Sequence, residues 1–284
     1  MDMKVNIAGV EWKNPVTVAS GTFGSGEEFG EFVDLNRLGA VTTKGVANVP
    51  WPGNPTPRVA EVYGGMMNAI GLQNPGIDLF CKRDIPFLKK YDTKIIVNVC
   101  GHAPEEYLAV VERLADEPID MMEINISCPN VGTVPFSEPE MLEKLLTTLD
   151  GIERTMPFFV KMPHLENIQE FDALLQVIAR HNIQGVTIAN LIKDRQNIQL
   201  KDPLTDDIRG GISGEPTRKR STELIRHAYQ HYGDRLTIVG VGGIFSGKDA
   251  YEKIRAGASL VALITGMIFE GPQMIGQINR ELAM

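Results

Sequence analysis

Cys128 stands in Asn125-Ile-Ser-Cys-Pro-Asn130, a polar stretch directly after an apolar run. A thiolate in such a loop acts as a base or a nucleophile, although a solitary cysteine is as often an inert small hydrophobe. Lys44 (TTKG) and Lys161 (FFVKM) lie in apolar, strand-like contexts. A lysine aimed inward from a strand needs an anion: a phosphate, a ligand carboxylate, the N1/O2 edge of a reduced flavin, or a structural carboxylate. Val241-Gly-Gly-Ile-Phe-Ser-Gly247 and Gly211-Ile-Ser-Gly214 each lead into a helical pattern. Backbone N–H groups at helix starts bind phosphate and glycine admits a close approach; taken singly, these are also ordinary turn glycines. The five histidines show no metal-ligand spacing, and His227 and His231 read as surface residues on one helix face. No metal site is expected.

Short β-branched runs position these residues. Candidate strands are Val16–Ala19, Ala40–Thr43, Ile95–Val99, Met121–Ile126, Phe158–Met162, Gly185–Ala189, Thr237–Val241 and Leu260–Ile264, preceded by a hairpin-like Val5–Trp12. Helical patterns alternate with them: Glu27–Leu35, Ile77–Lys90, Pro104–Ala115, Glu138–Thr155, Ile168–Arg180, Arg218–His231, Gly247–Ala256 and Pro272–Leu282. Ile168, Phe171, Leu174, Leu175 and Ile178 show the helical spacing well. Eight alternations favour a parallel sheet, and eight strands close a barrel. An open doubly wound sheet is the competitor. Gly21-Thr-Phe-Gly-Ser-Gly26 after the first strand lacks the glycine spacing that it normally carries. The fold expected is one (β/α)8 TIM barrel over residues 1–284, with a short N-terminal hairpin.

In a closed barrel the strand ends converge. Ser20, Lys44, Asn98, Asn125, Cys128, Lys161, Asn190, Gly242, Gly243 and Thr265 all lie at or near strand ends, on the rim where barrel enzymes place their sites. Two connections leaving that rim, Gly45–Gly76 and Leu191–Thr217, are too long for ordinary loops, and such segments are usually functional or disordered.

Net charge −8 with dispersed basic residues disfavours sequence-independent nucleic-acid binding. No apolar run approaches the ~18 residues of a membrane span and the N-terminus lacks a signal-peptide core, so a cytoplasmic location is expected. Three cysteines without close pairs, with Cys81 and Cys100 read as inert, disfavour both a disulfide framework and an iron–sulfur cluster held by this chain alone.

Asn125-Ile-Ser-Cys-Pro-Asn130, Gly53-Asn-Pro-Thr-Pro-Arg-Val59, Asn68-Ala-Ile-Gly-Leu-Gln-Asn-Pro-Gly76 and Ala19-Ser-Gly21 together resemble dihydroorotate dehydrogenases, over the whole chain. Cysteine before Pro129 resembles class 1. The second and third motifs are similar to those of the NAD-linked subclass, whose members pair with a subunit carrying FAD and a 2Fe–2S cluster. The resemblance implies FMN at the barrel mouth, contacting Ser20, Lys44, Gly45, Asn98, Asn125, Lys161, Ala189, Gly214, Gly242, Gly243, Ile264 and Thr265. It places the substrate dihydroorotate against Lys44, Asn68, Ala69, Ile70, Gly71, Leu72, Asn125, Asn190 and Leu191. Cys128 would remove the C5 proton, with Lys44 beside it, as C6 hydride passes to the flavin in pyrimidine biosynthesis. A homodimer, or a heterotetramer with the FAD and 2Fe–2S subunit, follows from the same resemblance.

Several positions depart from that pattern. Leu191 follows Asn190 where class 1 enzymes carry Thr or Ser, removing a hydroxyl. Lys161-Met-Pro-His164 replaces Lys-Leu-Ser-Pro-Asn, the segment after Cys128 is shorter, and the wording from about Ser221 resembles the quinone-linked class 2. The sequence is compatible with a divergent branch or a recombined one. A related FMN barrel reductase acting on another pyrimidine or an enone therefore stays open. So do the same dehydrogenase with fumarate or quinone as acceptor, and a non-catalytic flavin-binding subunit.

Overall fold

A computed structural model of the chain describes residues 2–127, 136–194 and 210–284. The chain opens with β1 (Val5–Ile7) and β2 (Val10–Trp12), an antiparallel hairpin. Ala8 and Gly9 both adopt positive φ, and the Asn6 side chain accepts from the Gly9 N–H at 3.1 Å. Two positive-φ residues give a turn whose twist matches that of the strands. Ile7 and Trp12 are buried with Ala40, Ile96, Met121, Phe159 and Leu260, so the hairpin plugs the amino-terminal end of the barrel.

The chain continues through β3 (Val16–Val18), β4 (Ala40–Thr42), β5 (Val59–Val62), β6 (Gly65–Asn68), β7 (Lys94–Val99), β8 (Met121–Asn125), β9 (Phe158–Lys161), β10 (Gly185–Ile188), β11 (Gly211–Gly214), β12 (Thr237–Val241) and β13 (Leu260–Leu263). Eight of these close a parallel barrel in the order β3-β4-β7-β8-β9-β10-β12-β13, with β13 pairing back onto β3. All eight expected strands are its staves.

Strand residues alternate between two environments, as the two-residue period requires. In β7, Ile95, Val97 and Val99 face the helical layer while Ile96 and Asn98 face inward. In β9, Phe158 and Val160 point outward, whereas Phe159 belongs to the interior cluster. The helices Pro104–Leu114, Pro139–Asp150, Ile168–Arg180, Arg218–Tyr232, Gly247–Ala256 and Met274–Leu282 bury their apolar faces on the outward residues. Ile168–Arg180 forms as expected, with the Asn167 side chain accepting from the Gln169 and Glu170 N–H groups. Among the described residues no helix is long and apolar enough to cross a membrane.

Three segments differ from expectation. Glu27–Leu35 is not a helix but two 3₁₀ turns, Phe29–Glu31 and Leu35–Arg37. Gly24 and Gly26 adopt positive φ just before it, and the Asp34 side chain accepts from the Asn36 N–H to start a separate turn. The helix expected to reach Thr155 ends at Asp150, before Gly151. Ile77–Leu88 contains a π-helical turn at Phe80–Asp84, just ahead of Pro86, which cannot donate a helical hydrogen bond. The two long connections also form structure of their own. β5 and β6 come from the first and β11 from the second; they pair as the antiparallel sheet β5-β6-β11.

Candidate active site

The interior polar residues stack in layers towards the carboxyl end of the barrel. Lower down, the Thr17 hydroxyl lies 3.2 Å from that of Thr42, and it donates to the Ala40 carbonyl at 2.9 Å. Above them, Glu123 on β8 accepts from Asn98 Nδ2 at 2.6 Å and from the Thr187 hydroxyl at 2.6 Å. This carboxylate is buried but doubly hydrogen-bonded, which offsets its desolvation. Asn125 Nδ2 then donates to Asn98 Oδ1 at 3.2 Å, while the Tyr107 hydroxyl donates to the Asn125 carbonyl at 2.7 Å. Three strands are thereby locked in register beneath the rim.

Above this ladder opens a cavity of about 260 Å³. Ser20, Lys44, Asn68, Ile70, Gly71, Leu72, Asn125, Lys161, Asn190, Leu191 and Ile264 line it, all of them expected site residues. Lys161 is 5% exposed, and among the described residues its ammonium has no hydrogen-bond or ion-pair partner. A cation facing a cavity in this way fits an anionic ligand. The Lys44 ammonium lies 3.1 Å from the position that a Cβ on Gly21 would take, so any larger residue there would crowd it.

The remaining described residues of the expected set are not among those that line this cavity. Gly45 packs on Asn98, whose Oδ1 would lie 2.8 Å from an added Cβ. Ala69 is buried, its carbonyl accepting from Asn54 Nδ2. Ala189 is buried beside Asn190. The Thr265 hydroxyl donates to that of Ser213, a cavity residue, at 2.7 Å, and the Thr265 methyl would touch a Cβ on Gly214. Gly242 and Gly243 follow β12, both with positive φ. Among the described residues, the Gly243 and Ile244 N–H groups meet no acceptor, although both residues are buried. Next to them, Asp249 accepts from the Phe245 N–H and Glu281 from that of Gly247. Buried free donors beside Gly214 and Thr265 fit a phosphate.

Cys128 lies outside the described residues. Ser127, immediately before it, bonds to Asn125 and Asn190. Cys81 and Cys100 are buried free thiols, and burial pushes the Cys81 thiol up to about 11, in keeping with an inert role. His227 is half-buried and paired with Asp172 at 2.8 Å, so its role is structural and it is not simply a surface residue. Among the described residues no cluster could hold a metal ion.

Sequence reasoning missed Glu123, Thr187, Ser213, Gly21 and the apolar mouth residues Val59, Met66 and Ile268. Glu123 was findable: it is a lone acid in the apolar run MMEIN, the same signal that marked the two lysines.

Comparison with known proteins agrees with this geometry. The sequence profile described as dihydroorotate dehydrogenase matches residues 2–284. The dihydroorotate dehydrogenase B (NAD(+)) catalytic subunit of Lachnoclostridium phytofermentans is 46% identical over 271 residues, covering 93% of this chain and 88% of the relative. The protein of the same description from Alkaliphilus metalliredigens is 46% identical over 272 residues, covering 93% and 87%. The solved structure of ligand-free DHODH from Eimeria tenella superposes with TM-score 0.84 at 24% identity, over 99% of this chain and 86% of that one, which supports the fold. With a match along nearly its full length, and with eleven of the expected residues lining one cavity at the barrel mouth, the chain belongs to the dihydroorotate dehydrogenase family.

Proposed function

We propose that this chain oxidises dihydroorotate to orotate with FMN bound at the carboxyl rim, the whole of residues 1–284 acting as one flavin-binding barrel. The observation that carries this is the Lys161 side chain, 5% exposed and without a partner among the described residues, in a cavity also lined by Asn68, Asn125 and Asn190. The residues fit the cofactor: Lys161 answers an anionic ring edge, and the free Gly243 and Ile244 N–H groups answer a phosphate. Bound FMN supplies a two-electron acceptor for the C6 hydride of the substrate.

The chain's own residues do the rest. Side-chain amides of Asn68, Asn125 and Asn190 offer donors and acceptors matched to the imide edges of a pyrimidine. Lys44 and Lys161 supply positive charge where negative charge accumulates. Cys128 takes the C5 proton as the general base. Ser20, Gly45, Asn98, Ala189, Gly214, Gly242, Gly243, Ile264 and Thr265 shape the flavin bed; Ala69, Ile70, Gly71, Leu72 and Leu191 shape the substrate's.

Electrons then leave to NAD through a partner subunit. The named relatives are catalytic subunits of NAD(+)-linked enzymes, and three cysteines are fewer than the four that usually hold an iron–sulfur cluster. A homodimer within a heterotetramer that includes an FAD and 2Fe–2S subunit is the assembly this favours, in the cytoplasm. The test is anaerobic: purified protein is yellow and bleaches on adding dihydroorotate. An unchanged oxidised flavin spectrum would refute the proposal.

One observation favours a second reading. Leu191 lines the cavity, where its side chain offers a ligand no hydroxyl. A flavin reductase for another pyrimidine or an enone would tolerate that. Flavin reduction by NADPH alone, with indifference to dihydroorotate, would select it.

A further inference from the structure

Lys253 is fully buried on the Gly247–Ala256 helix. Its ammonium has three protons and places all of them: on the Arg218 carbonyl at 2.8 Å, on the Thr222 hydroxyl at 2.7 Å and on the Ser221 hydroxyl at 2.5 Å. All three partners are neutral oxygens, so the charge is hydrogen-bonded but not directly neutralised. Burying an ammonium in this way is costly, and an apolar side chain would fill the space without that cost.

The partners of Lys253 are the residues on which the glycine turn rests. A Cβ on Gly243 would lie 2.3 Å from Arg218 Cβ and 2.8 Å from Arg218 Cα. A Cβ on Gly242 would lie 3.0 Å from the Ser221 hydroxyl and 2.7 Å from that of Thr217, which itself donates to the Gly214 carbonyl. Gly240 packs against the stem of Lys253. One ammonium thus clamps the first turn of the Arg218–Tyr232 helix against the segment that carries the free Gly243 and Ile244 N–H groups.

We propose that Lys253 is a positioning residue for the cofactor phosphate: by fixing Arg218 and Ser221 it holds the Gly242–Ile244 turn in its phosphate-accepting form. This rests on the reading, given above, that FMN binds with its phosphate at that turn. Charged groups face Lys253 from every side. Asp249 and Glu252 belong to its own helix, Glu215 and Arg218 to the adjoining turn and helix start, and His164, itself beside Arg220, lies beyond. Burial outweighs the acidic neighbours and pushes the ammonium down to about 7, with Arg218 adding to the fall. A dianionic phosphate nearby supplies the missing countercharge and keeps Lys253 protonated.

The test compares FMN with riboflavin, which differ only in the phosphate, by quenching of flavin fluorescence on titration with apoprotein. Wild-type protein should prefer FMN by at least about a hundred-fold. Lys253→Met should weaken FMN binding about ten-fold or more and leave riboflavin binding unchanged. Equal weakening of both ligands, or of neither, would overturn the positioning role while leaving the phosphate site intact. Equal wild-type affinity for FMN and riboflavin would overturn the phosphate site and this role together.

Should Lys253→Met fail to fold, the wild-type pH profile decides. The FMN-to-riboflavin affinity ratio should fall as pH rises from about 7 to 9.5, as Lys253 loses its proton. The phosphate's own ionisation runs the other way, since its dianion forms near pH 6. His164, held below its usual range chiefly by burial, is already neutral in this window. A constant ratio across it would overturn the role.

Discussion

Asn190 Nδ2 donates to the Ser127 hydroxyl at 2.7 Å and to the Ser127 carbonyl at 3.2 Å, across 63 residues of sequence. The bonds join the end of β10 to the residue immediately before Cys128. Asn190 thus commits its amide N–H₂ to Ser127, and among the described residues its side-chain oxygen meets no donor. Ser127→Ala removes the hydroxyl's bonds to both Asn190 and Asn125 and should lower turnover about ten-fold, with flavin retained. If Asn190 also meets the substrate as proposed, Asn190→Ala removes anchor and contact together and should lower kcat/KM by about a hundred-fold. Steady-state kinetics on flavin-replete protein checks both, and equal effects would mean that Asn190 acts only as an anchor.

Replacing Cys128 with Ala or Ser should lower dihydroorotate turnover by about 10²–10⁴, the usual contribution of a general base, without loss of bound flavin. Cys81 provides the internal control. With its thiol held near 11 by burial, only about one part in a thousand is thiolate at pH 8. Iodoacetamide at that pH should spare Cys81 in the folded protein, as peptide mass mapping will show.

Lys161→Met keeps the length of the side chain and removes its charge. Without the ammonium an anionic reduced flavin is less stable, so the flavin midpoint potential should fall. Turnover should drop by about 10²–10³, as for loss of one preorganised charge-stabilising donor. Spectroelectrochemistry on the variant reads the potential directly, and an unchanged value would remove Lys161 from the flavin's environment.

Leu191→Thr restores a hydroxyl to the cavity wall. Where that hydroxyl meets orotate, product affinity should rise about ten-fold, equivalent to about 1.4 kcal/mol. Isothermal titration with orotate measures it. No gain would mean that the position faces away from the ligand or that the substrate lacks the matching group.

Asp172 tests the packing of the Ile168–Arg180 and Arg218–Tyr232 helices. Burial alone would raise its carboxyl, but hydrogen bonds from His227, Gln176 and Tyr232 together hold it below the usual carboxylate range. A depressed folded-state value stabilises the protein above the unfolded value and loses that stabilisation as pH falls through the folded one. Asp172→Asn should therefore lower Tm at pH 7, and the difference from wild type should shrink below about pH 4. Thermal melts at both pH values give the comparison.

Much of the molecule could be read locally. Strand segments such as Phe158–Lys161 and Gly185–Ile188 declare themselves because β-branched and aromatic runs favour the pleated sheet wherever they lie. Ile168–Arg180 does so through its spacing and its Asn167 cap. Lys44, Lys161, Asn98 and Asn125 stood out as polar groups in apolar strands, and the barrel's inward alternation carries such residues to the mouth. Ser20 and Asn190 stood out as neighbours of strand ends, whereas Leu191 was marked only through the family resemblance. What local pattern does not hold is pairing at long range. Met66 and Ser213 lie 147 residues apart, yet β6 and β11 pair there and turn two long connections into one wall of the cavity. The clamping of the glycine turn by Lys253, and the joining of Asn98 to Thr187 through Glu123, likewise exist only once distant helices and strands have packed. Residue types and spacing determined the staves and the chemistry available at their ends, because propensity and periodicity act between near neighbours. Which of those groups became partners was left to the closed barrel, because contacts across it depend on where the whole chain brings each segment.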